Sequence, residues 1–377
     1  MDWQRYAEGL AARISYPESD WWQPIAATPR HELVERWFTP RDGGWTVVDG
    51  RADEAAWVKT AYSDTTLVTK VGPAHADQTE LGRIVTGHPT SSSTLPSLVV
   101  SMLRHGRLAP GMRLLDVATG SGYSAALACQ RLGDQSVTTL DVDPYLTEVA
   151  ADRLDRLGWH PTVVTADAEQ ELPGTFDRIV SMVSMPRIPP PWLRSLAPGG
   201  RVVTTIANTG LIVTADKTDD GGARGRVEWD RASFMTTRTD DDYPPALNDV
   251  FAKARDQDGE EITESPMPVI NVMQAWEIWS MLSLEAPGIE HRSGVGDDGG
   301  PMAWMLHADG SWARAHTSCD RRITTVHQSG PRRLYDLLDG IRWRWVEYGE
   351  LPVYGAQVAI TPEGKTTLYQ GGWSITL

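Results

Sequence analysis

The stretch LLDVATGSGY, residues 114–123, decides how this chain folds. Leu114, Leu115, Asp116 and Val117 read as a short buried strand. The small residues Ala118, Thr119, Gly120, Ser121 and Gly122 follow, and Tyr123 opens an alanine-rich helix to about residue 132. Gly120 and Gly122 remove Cβ atoms where a ligand must lie against the backbone. The turn also delivers N–H groups at a helix N-terminus, which favours a carboxylate or another anion. A dinucleotide site asks for G-x-G-x-x-G at this place. Here Ala118 and Tyr123 stand in the first and last glycine positions. The segment therefore predicts either a nucleoside-binding turn of another kind or an ordinary strand–helix turn.

Moving outward, strand and helix alternate. Residues 96–104 form an apolar helix with Pro96 in the first turn, where a missing N–H costs nothing. Residues 136–142 are the next strand, and Asp143-Pro144 caps a helix to about residue 157. Strands follow at 161–165, 176–182 and 200–205, with a short helix at 191–196. Mostly apolar strands separated by helices mean a parallel sheet covered on both faces, a doubly wound α/β fold. Asp141 ends the second strand and Asp167 follows the third. In such folds an acid at the second position accepts the two hydroxyls of a ribose, and the ligand lies across the strand tips. Asp116, Asp141 and Asp167 should crowd that edge, with Val142 and Ala168 beside them. Thr90, Ser91, Ser92, Ser93 and Thr94 precede the helix at 96. They read as a polar loop capping it or, beside the ligand, as hydroxyl donors for a carboxylate.

The flanks differ in character. Residues 11–14 and 31–38 carry apolar positions at helical spacing, and Trp45-Thr46-Val47-Val48 reads as a strand. After about residue 210 hairpin-like segments replace the alternation, and residues 240–245 read as an acidic linker. A mixed region follows, with helices near 272–284 and 332–348, a Gly/Asp-rich loop at 294–300 and a terminal hairpin around 361–364. The expected division is an N-terminal extension over 1–80, a core over 81–240 and a C-terminal α+β domain over 246–377.

Composition narrows the partners. A net charge of −15 disfavours a grip on DNA or RNA. No stretch reaches the ~20 apolar residues a bilayer needs. Two distant cysteines, Cys129 and Cys319, suit a reducing cytoplasm and offer no disulfide framework or metal site. Arg321, Arg322, Arg332, Arg333, Arg342 and Arg344 gather late in the chain, as a solvated face or a docking surface for an acidic peptide. With 16 tryptophans, pairs such as Trp276/Trp279 and Trp343/Trp345 read first as packing anchors and second as parts of a peptide groove.

Taken in order, several motifs resemble the protein-L-isoaspartate O-methyltransferase family over residues 25–238. They are Ala61-Tyr62-Ser63-Asp64, Ser93-Thr94-Leu95-Pro96, the turn from Asp116 to Tyr123, Phe176-Asp177-Arg178-Ile179-Val180, Ile188-Pro189 and Leu196-Ala197-Pro198-Gly199-Gly200. The resemblance implies a class I Rossmann-like methyltransferase using S-adenosylmethionine. It implies that Ser91, Ser92, Asp116, Ala118, Thr119, Gly120, Gly122, Tyr123, Asp141, Val142, Asp167 and Ala168 bind the cofactor, and that Ser93 and Thr94 hold the acceptor carboxylate. No metal is implied. Where the family has I-S-Q-P, this chain has Ser93-Thr94-Leu95-Pro96, so a hydroxyl stays and the glutamine is lost.

The hydroxyl run and the added C-terminal region are similar to relatives that modify ribosomally made peptides. Those relatives methylate an aspartate in a graspetide, lanthipeptide or lasso peptide precursor, and the ester closes to aspartimide and at times opens to isoaspartate. That is the expected function. A repair-type isoaspartyl methyltransferase, or a cofactor-binding protein without transferase activity, are the alternatives. A carboxylate acceptor is ionised at neutral pH, since aspartate titrates near ~3.9. No general base is expected, and His88 near the hydroxyl run reads as loop structure.

Overall fold

The computed structural model describes residues 2–237, 245–320 and 323–377. Most of the expected linker at 240–245, the expected core boundary at 240, and Arg321 and Arg322 lie outside the described residues.

Among the described residues the largest sheet has ten strands. Five run parallel, in the spatial order Leu196–Ile206, Phe176–Met185, Leu114–Val117, Val137–Asp141 and Thr162–Thr165. The chain builds outward from Leu114–Val117 through Val137–Asp141 to Thr162–Thr165, then crosses back to Phe176–Met185 on the other side. That reversal opens a crevice at the strand C-termini beside Leu114–Val117. All four residues of that strand are buried, as parallel strands covered on both faces require. The helix Tyr123–Leu132 packs close on alanines, with Ala125, Ala126 and Ala128 fully buried. The helix Pro144–Arg156 begins as its sequence demands: Asp143 Oδ1 accepts from the Tyr145 N–H at 3.0 Å, and Pro144 holds the first position.

The other five strands are antiparallel. Leu211–Lys217 and Ala223–Arg231 continue the sheet past Leu196–Ile206, and Gln357–Ile360, Thr366–Gln370 and Trp373–Thr376 complete it. The region 246–377 is thus not a separate body. Its last strands belong to the core sheet, while Glu261–Ser265, Glu290–Val295, Pro301–Leu306, Trp312–Thr317 and Thr324–Ser329 form their own five-stranded antiparallel sheet. One apolar core runs through both, from Leu115, Val117 and Trp192 to Trp279, Met305, Tyr335 and Leu368. Gly210 is pressed against Trp276, where a Cβ would meet ring carbon Cε3 at 2.4 Å, and its N–H donates to Ser280 Oγ at 3.0 Å.

The N-terminal extension also crosses its expected boundary. Six strands between Arg36 and Ser93 form a second sheet, and the last of them, Pro89–Ser93, lies within the range assigned to the core. Three readings of the sequence are corrected here. Residues 31–38 are not one helix: a four-residue helix, Arg30–Leu33, gives way to the strand Arg36–Arg41, whose Trp37 and Phe38 are buried by sheet packing. The hydroxyl run is a strand rather than a loop, paired antiparallel with Leu67–Val71. The following helix, Pro96–His105, is served from elsewhere: Asp64 Oδ1 accepts from Ser97 N–H at 2.8 Å and Thr66 Oγ1 from Leu95 N–H at 3.1 Å.

Each of the four described late arginines is paired with an acid. Arg332 pairs with Asp309, Arg333 with Glu260 and Glu261, Arg342 with Asp339 and Arg344 with Glu285. Arg342 is buried and also donates to Pro268 O. Of the tryptophan pairs, Trp276 and Trp279 meet edge to face within the core, whereas Trp343 and Trp345 are exposed. Among the described residues no helix is long and apolar enough to cross a membrane.

Because the core is shared, a chain ending at residue 245 is expected not to fold. Circular dichroism and size exclusion should show loss of a cooperative thermal transition and aggregation, where the full chain melts as a compact species.

Candidate functional site

A cleft of about 260 Å³ opens at the switch point, above the C-terminal ends of Leu114–Val117 and Val137–Asp141. One wall is the small-residue turn: Ala118, Thr119, Gly120, Ser121 and Tyr123. The facing wall is the hydroxyl strand and its exit: Thr90, Ser91, Ser92, Thr94 and Leu95. The two walls touch. A Cβ on Gly120, whose φ is +52°, would lie 3.2 Å from Ser92 O. Glycine is required here both by the left-handed backbone and by the close approach.

Asp141, Val142, Asp167 and Ala168 form the floor at one end. Asp141 Oδ2 accepts from the Gly120 N–H at 3.0 Å and Oδ1 from the Asp143 N–H at 3.1 Å. A carboxylate offers about four acceptor sites, so Asp141 keeps acceptor capacity for a ligand hydroxyl. Burial raises the Asp141 pKa above its ordinary value, against those backbone hydrogen bonds. Asp167 Oδ1 accepts from the Glu169 N–H at 2.8 Å, leaving its other oxygen open to a donor. The Ala168 carbonyl is fixed by Trp192 Nε1 at 2.7 Å, and Trp192 is fully buried. Val142 offers an exposed apolar surface beside them.

Three expected residues do not line the cleft. Asp116 is fully buried beneath the turn, where Oδ2 accepts from Ser124 Oγ and Thr139 Oγ1, both at 2.8 Å. It props the loop from below and does not grip a ligand directly. Gly122 starts the helix with φ +86°, and its Cα faces Ala150 and Leu154. Ser93 is buried away from the cleft and lies against Arg30. Thr94 does face the cleft, as do the other expected residues; His88 does not.

Arg30 went unnoticed in the sequence. Its guanidinium is fully buried and donates to Ala61 O at 2.7 Å, Ser63 O at 3.2 Å, Thr65 O at 3.0 Å, Ser93 O at 3.1 Å and Thr94 O at 3.1 Å. It also lies over the Tyr123 ring, 5.2 Å from the centroid. Burial lowers its pKa to about 10, so it stays charged at neutral pH. Thr94 therefore owes its position to a cation from the N-terminal extension. The roof was missed as well. Ser233, Phe234, Met235, Thr236 and Thr237 close over the cleft, held because Ser184 N–H donates to Met235 O at 2.8 Å and Thr237 N–H to Ser184 O at 2.9 Å. Only the bland composition of that segment was on view, and nothing in it signals a site.

The strand order and the cleft define the Rossmann-like fold of S-adenosylmethionine-dependent methyltransferases. Residues 57–236 match the family model for protein-L-isoaspartate(D-aspartate) O-methyltransferase. A protein-L-isoaspartate O-methyltransferase of Methanococcoides burtonii is 30% identical over 166 residues, covering 43% of this chain and 73% of the relative. The chain belongs to the protein-L-isoaspartate O-methyltransferase family. A relative of the same description from Hyperthermus butylicus is 32% identical over 154 residues, 37% of this chain; the match spans 64% of that relative's length, less than two thirds. A solved structure described as protein-L-isoaspartate O-methyltransferase covers 99% of both chains with a TM-score of 0.50 and 16% identity, and so shares the fold along the whole length. The expected parallel sheet is present, extended by as many antiparallel strands.

Two predictions follow from this geometry. Arg30→Met should leave five carbonyls, at least two of them buried, without their donor, lowering stability by about 3 kcal/mol or more in urea unfolding. Asp116 is pushed up to about 7, first by burial and further by Asp141, with the Ser124 and Thr139 hydrogen bonds opposing. A raised folded pKa means that the unfolded chain binds fewer protons between ~3.9 and 7. The stability from this group is complete at the acid end and lost as pH rises through 7. Asp116→Asn removes that dependence, so its urea midpoint relative to the parent should rise between pH 4 and pH 8.

Proposed function

We propose that this chain is an S-adenosylmethionine-dependent O-methyltransferase acting on a carboxylate of an aspartyl or isoaspartyl residue in a peptide. The observation that carries the reading is a single cleft joining two unlike walls: ribose- and base-type acceptors at Asp141 and Asp167, and side-chain hydroxyls at Ser91, Ser92 and Thr94. The donor set fits the cofactor. Asp141 keeps acceptor capacity for ribose hydroxyls, Asp167 one oxygen for an adenine amino group, and Gly120 leaves the backbone bare for the methionyl portion. When bound, S-adenosylmethionine supplies an electrophilic methyl group.

The residues of the chain do the rest by placement. Thr94 and Ser92 donate to the acceptor carboxylate, and Arg30 holds the backbone that carries Thr94. The acceptor arrives ionised, so no proton has to be taken from it. Leu95, Leu98, Phe234 and Met235 line the same cleft with apolar surface and help to shed water. Among the described lining residues none is Lys, Arg or His. The acceptor is thus met by neutral donors that keep the carboxylate in place without a strong ion pair to break, and catalysis is chiefly orientation.

The finer reading is an aspartate in a modified ribosomal peptide, a graspetide, lanthipeptide or lasso peptide precursor. Methylation turns the side-chain carboxyl into an ester, and the following backbone nitrogen attacks that carbonyl, releasing methanol and closing an aspartimide. What favours it is Leu95, an apolar cleft residue in the place of the family's glutamine. The C-terminal region does not separate this reading from a repair enzyme, because its fold is shared along a solved protein-L-isoaspartate O-methyltransferase. Both free cysteines suit a reducing, cytoplasmic setting.

Mass spectrometry with cofactor and two acceptors tests the reading. A gain of one methylene on a modified aspartyl precursor, followed by loss of methanol, is the expected result. Turnover of simple isoaspartyl peptides at equal or higher kcat/KM returns the repair-type function, and no methyl transfer to either leaves a cofactor-binding protein. Thr94→Val should lower kcat/KM about tenfold or more, as loss of a hydrogen bond to a charged group does, with cofactor affinity unchanged.

A further inference from the structure

Asp143 follows Asp141 by two residues, and the two carboxylates face opposite sides of one turn. Asp143 Oδ1 caps the helix Pro144–Arg156, and its N–H donates to Asp141 Oδ1 at 3.1 Å. Its Oδ2 is gripped from the N-terminal sheet. Lys70 Nζ, on Leu67–Val71, lies 2.7 Å away, and His75 Nε2, on Ala74–His75, lies 3.2 Å away. Both side chains are buried. The His75 ring packs on Tyr145, centroids 4.3 Å apart, which fixes the imidazole over the turn. None of Lys70, His75 and Asp143 lines the cleft.

We infer that Lys70 and His75 are positioning residues for the cofactor, clamping Asp143 so that its backbone orients Asp141 and its charge does not suppress that of Asp141. The inference rests on Asp141 being the ribose acceptor. The clamp works in two ways. Geometrically, Asp141 Oδ1 receives its hydrogen bond from the very residue that Lys70 immobilises. Electrostatically, two carboxylates on one turn oppose each other's ionisation. Asp143 raises the pKa of Asp141, while His75 and Lys70 hold Asp143 well below the usual range against the desolvation of its site. Only an ionised Asp141 accepts from two hydroxyls at once. A cation on the far side of Asp143 lets both acids stay charged.

The test is the binding of S-adenosylhomocysteine to the full chain by titration calorimetry, with the melting temperature followed in parallel. Lys70→Met should weaken binding by about tenfold or more, the effect of stranding one charge of a buried pair. Asp143→Asn keeps the helix cap and removes the repelling charge, so Lys70→Met combined with Asp143→Asn should return to within about threefold of the parent protein. Lys70→Arg should bind as the parent does. A double variant as weak as Lys70→Met reduces the pair to ordinary scaffolding and overturns the inference, as does unaltered binding by Lys70→Met. Should Lys70→Met fail to fold, the double variant against Asp143→Asn carries the same comparison, with equal affinity expected and a tenfold gap overturning it. Failure of the parent protein itself to bind overturns instead the cofactor reading beneath.

Discussion

Carboxylates gathered at the tips of neighbouring strands repel one another and lose hydration, and the site of this protein is arranged around that cost. Asp116, Asp141 and Asp143 lie within one turn-and-strand layer, yet each is kept by a different means. Asp116 is given two hydroxyl donors and so much burial that its proton is retained near neutrality. Asp141 is given two backbone N–H donors and left with lone pairs facing the cleft. Asp143 is given a lysine and a histidine. A single uniform solution, such as a cation for each acid, would fill the crevice that the ligand needs. Dividing the work among hydroxyls, amides and cations leaves the described residues of the cleft wall without Lys, Arg or His.

The same economy governs the facing wall. The hydroxyl strand could be held by cations near its side chains, which would then compete for the proposed acceptor carboxylate. Arg30 instead donates to carbonyls from behind, through Ser93 O and Thr94 O, and binds the turn at Ala61, Ser63 and Thr65 with the same fork. The rigid planar fork of arginine suits this better than lysine, whose ammonium is a point charge with rotatable donors. The long-range pull of the guanidinium is spent on main-chain dipoles, so the acceptor pocket sees hydroxyls of fixed direction.

The legible part of this architecture was local. The turn after Leu114–Val117, the acids at the strand ends and the cap Asp143-Pro144 all announce themselves through residues adjacent in sequence. The hydroxyl run was ambiguous because Thr and Ser suit a strand edge as well as a polar loop, and its partner strand, Leu67–Val71, lies some distance upstream. Arg30 was invisible because nothing in its neighbourhood shows that the carbonyls of two remote segments converge on it. The return of Gln357–Ile360 to pair with Ala223–Arg231 was hidden for the same reason. A non-local antiparallel pairing leaves no trace in either strand beyond its alternation. Asp116 was over-read: an acid at a strand end marks the site, but which way its side chain turns is decided by Ser124 and Thr139, one on the next helix and one on the next strand.

That non-local pairing bears on how the C-terminal region takes part in function. A tethered recognition module would fold alone and tolerate removal. Here the last three strands prolong the catalytic sheet, and Trp276, with Arg231 stacked 4.7 Å from its ring centroid, locks the end of Ala223–Arg231. The roof segment, Ser233 to Thr237, leaves from that locked strand end. Its position over the acceptor side is therefore set jointly by Ser184 below and by the C-terminal region beside it. A change in the C-terminal region can reach the cleft through the strand Ala223–Arg231, against which Gln357–Ile360 pairs. Under the proposed function, selectivity for one peptide over another can then arise without any contact between that region and the reacting carboxylate.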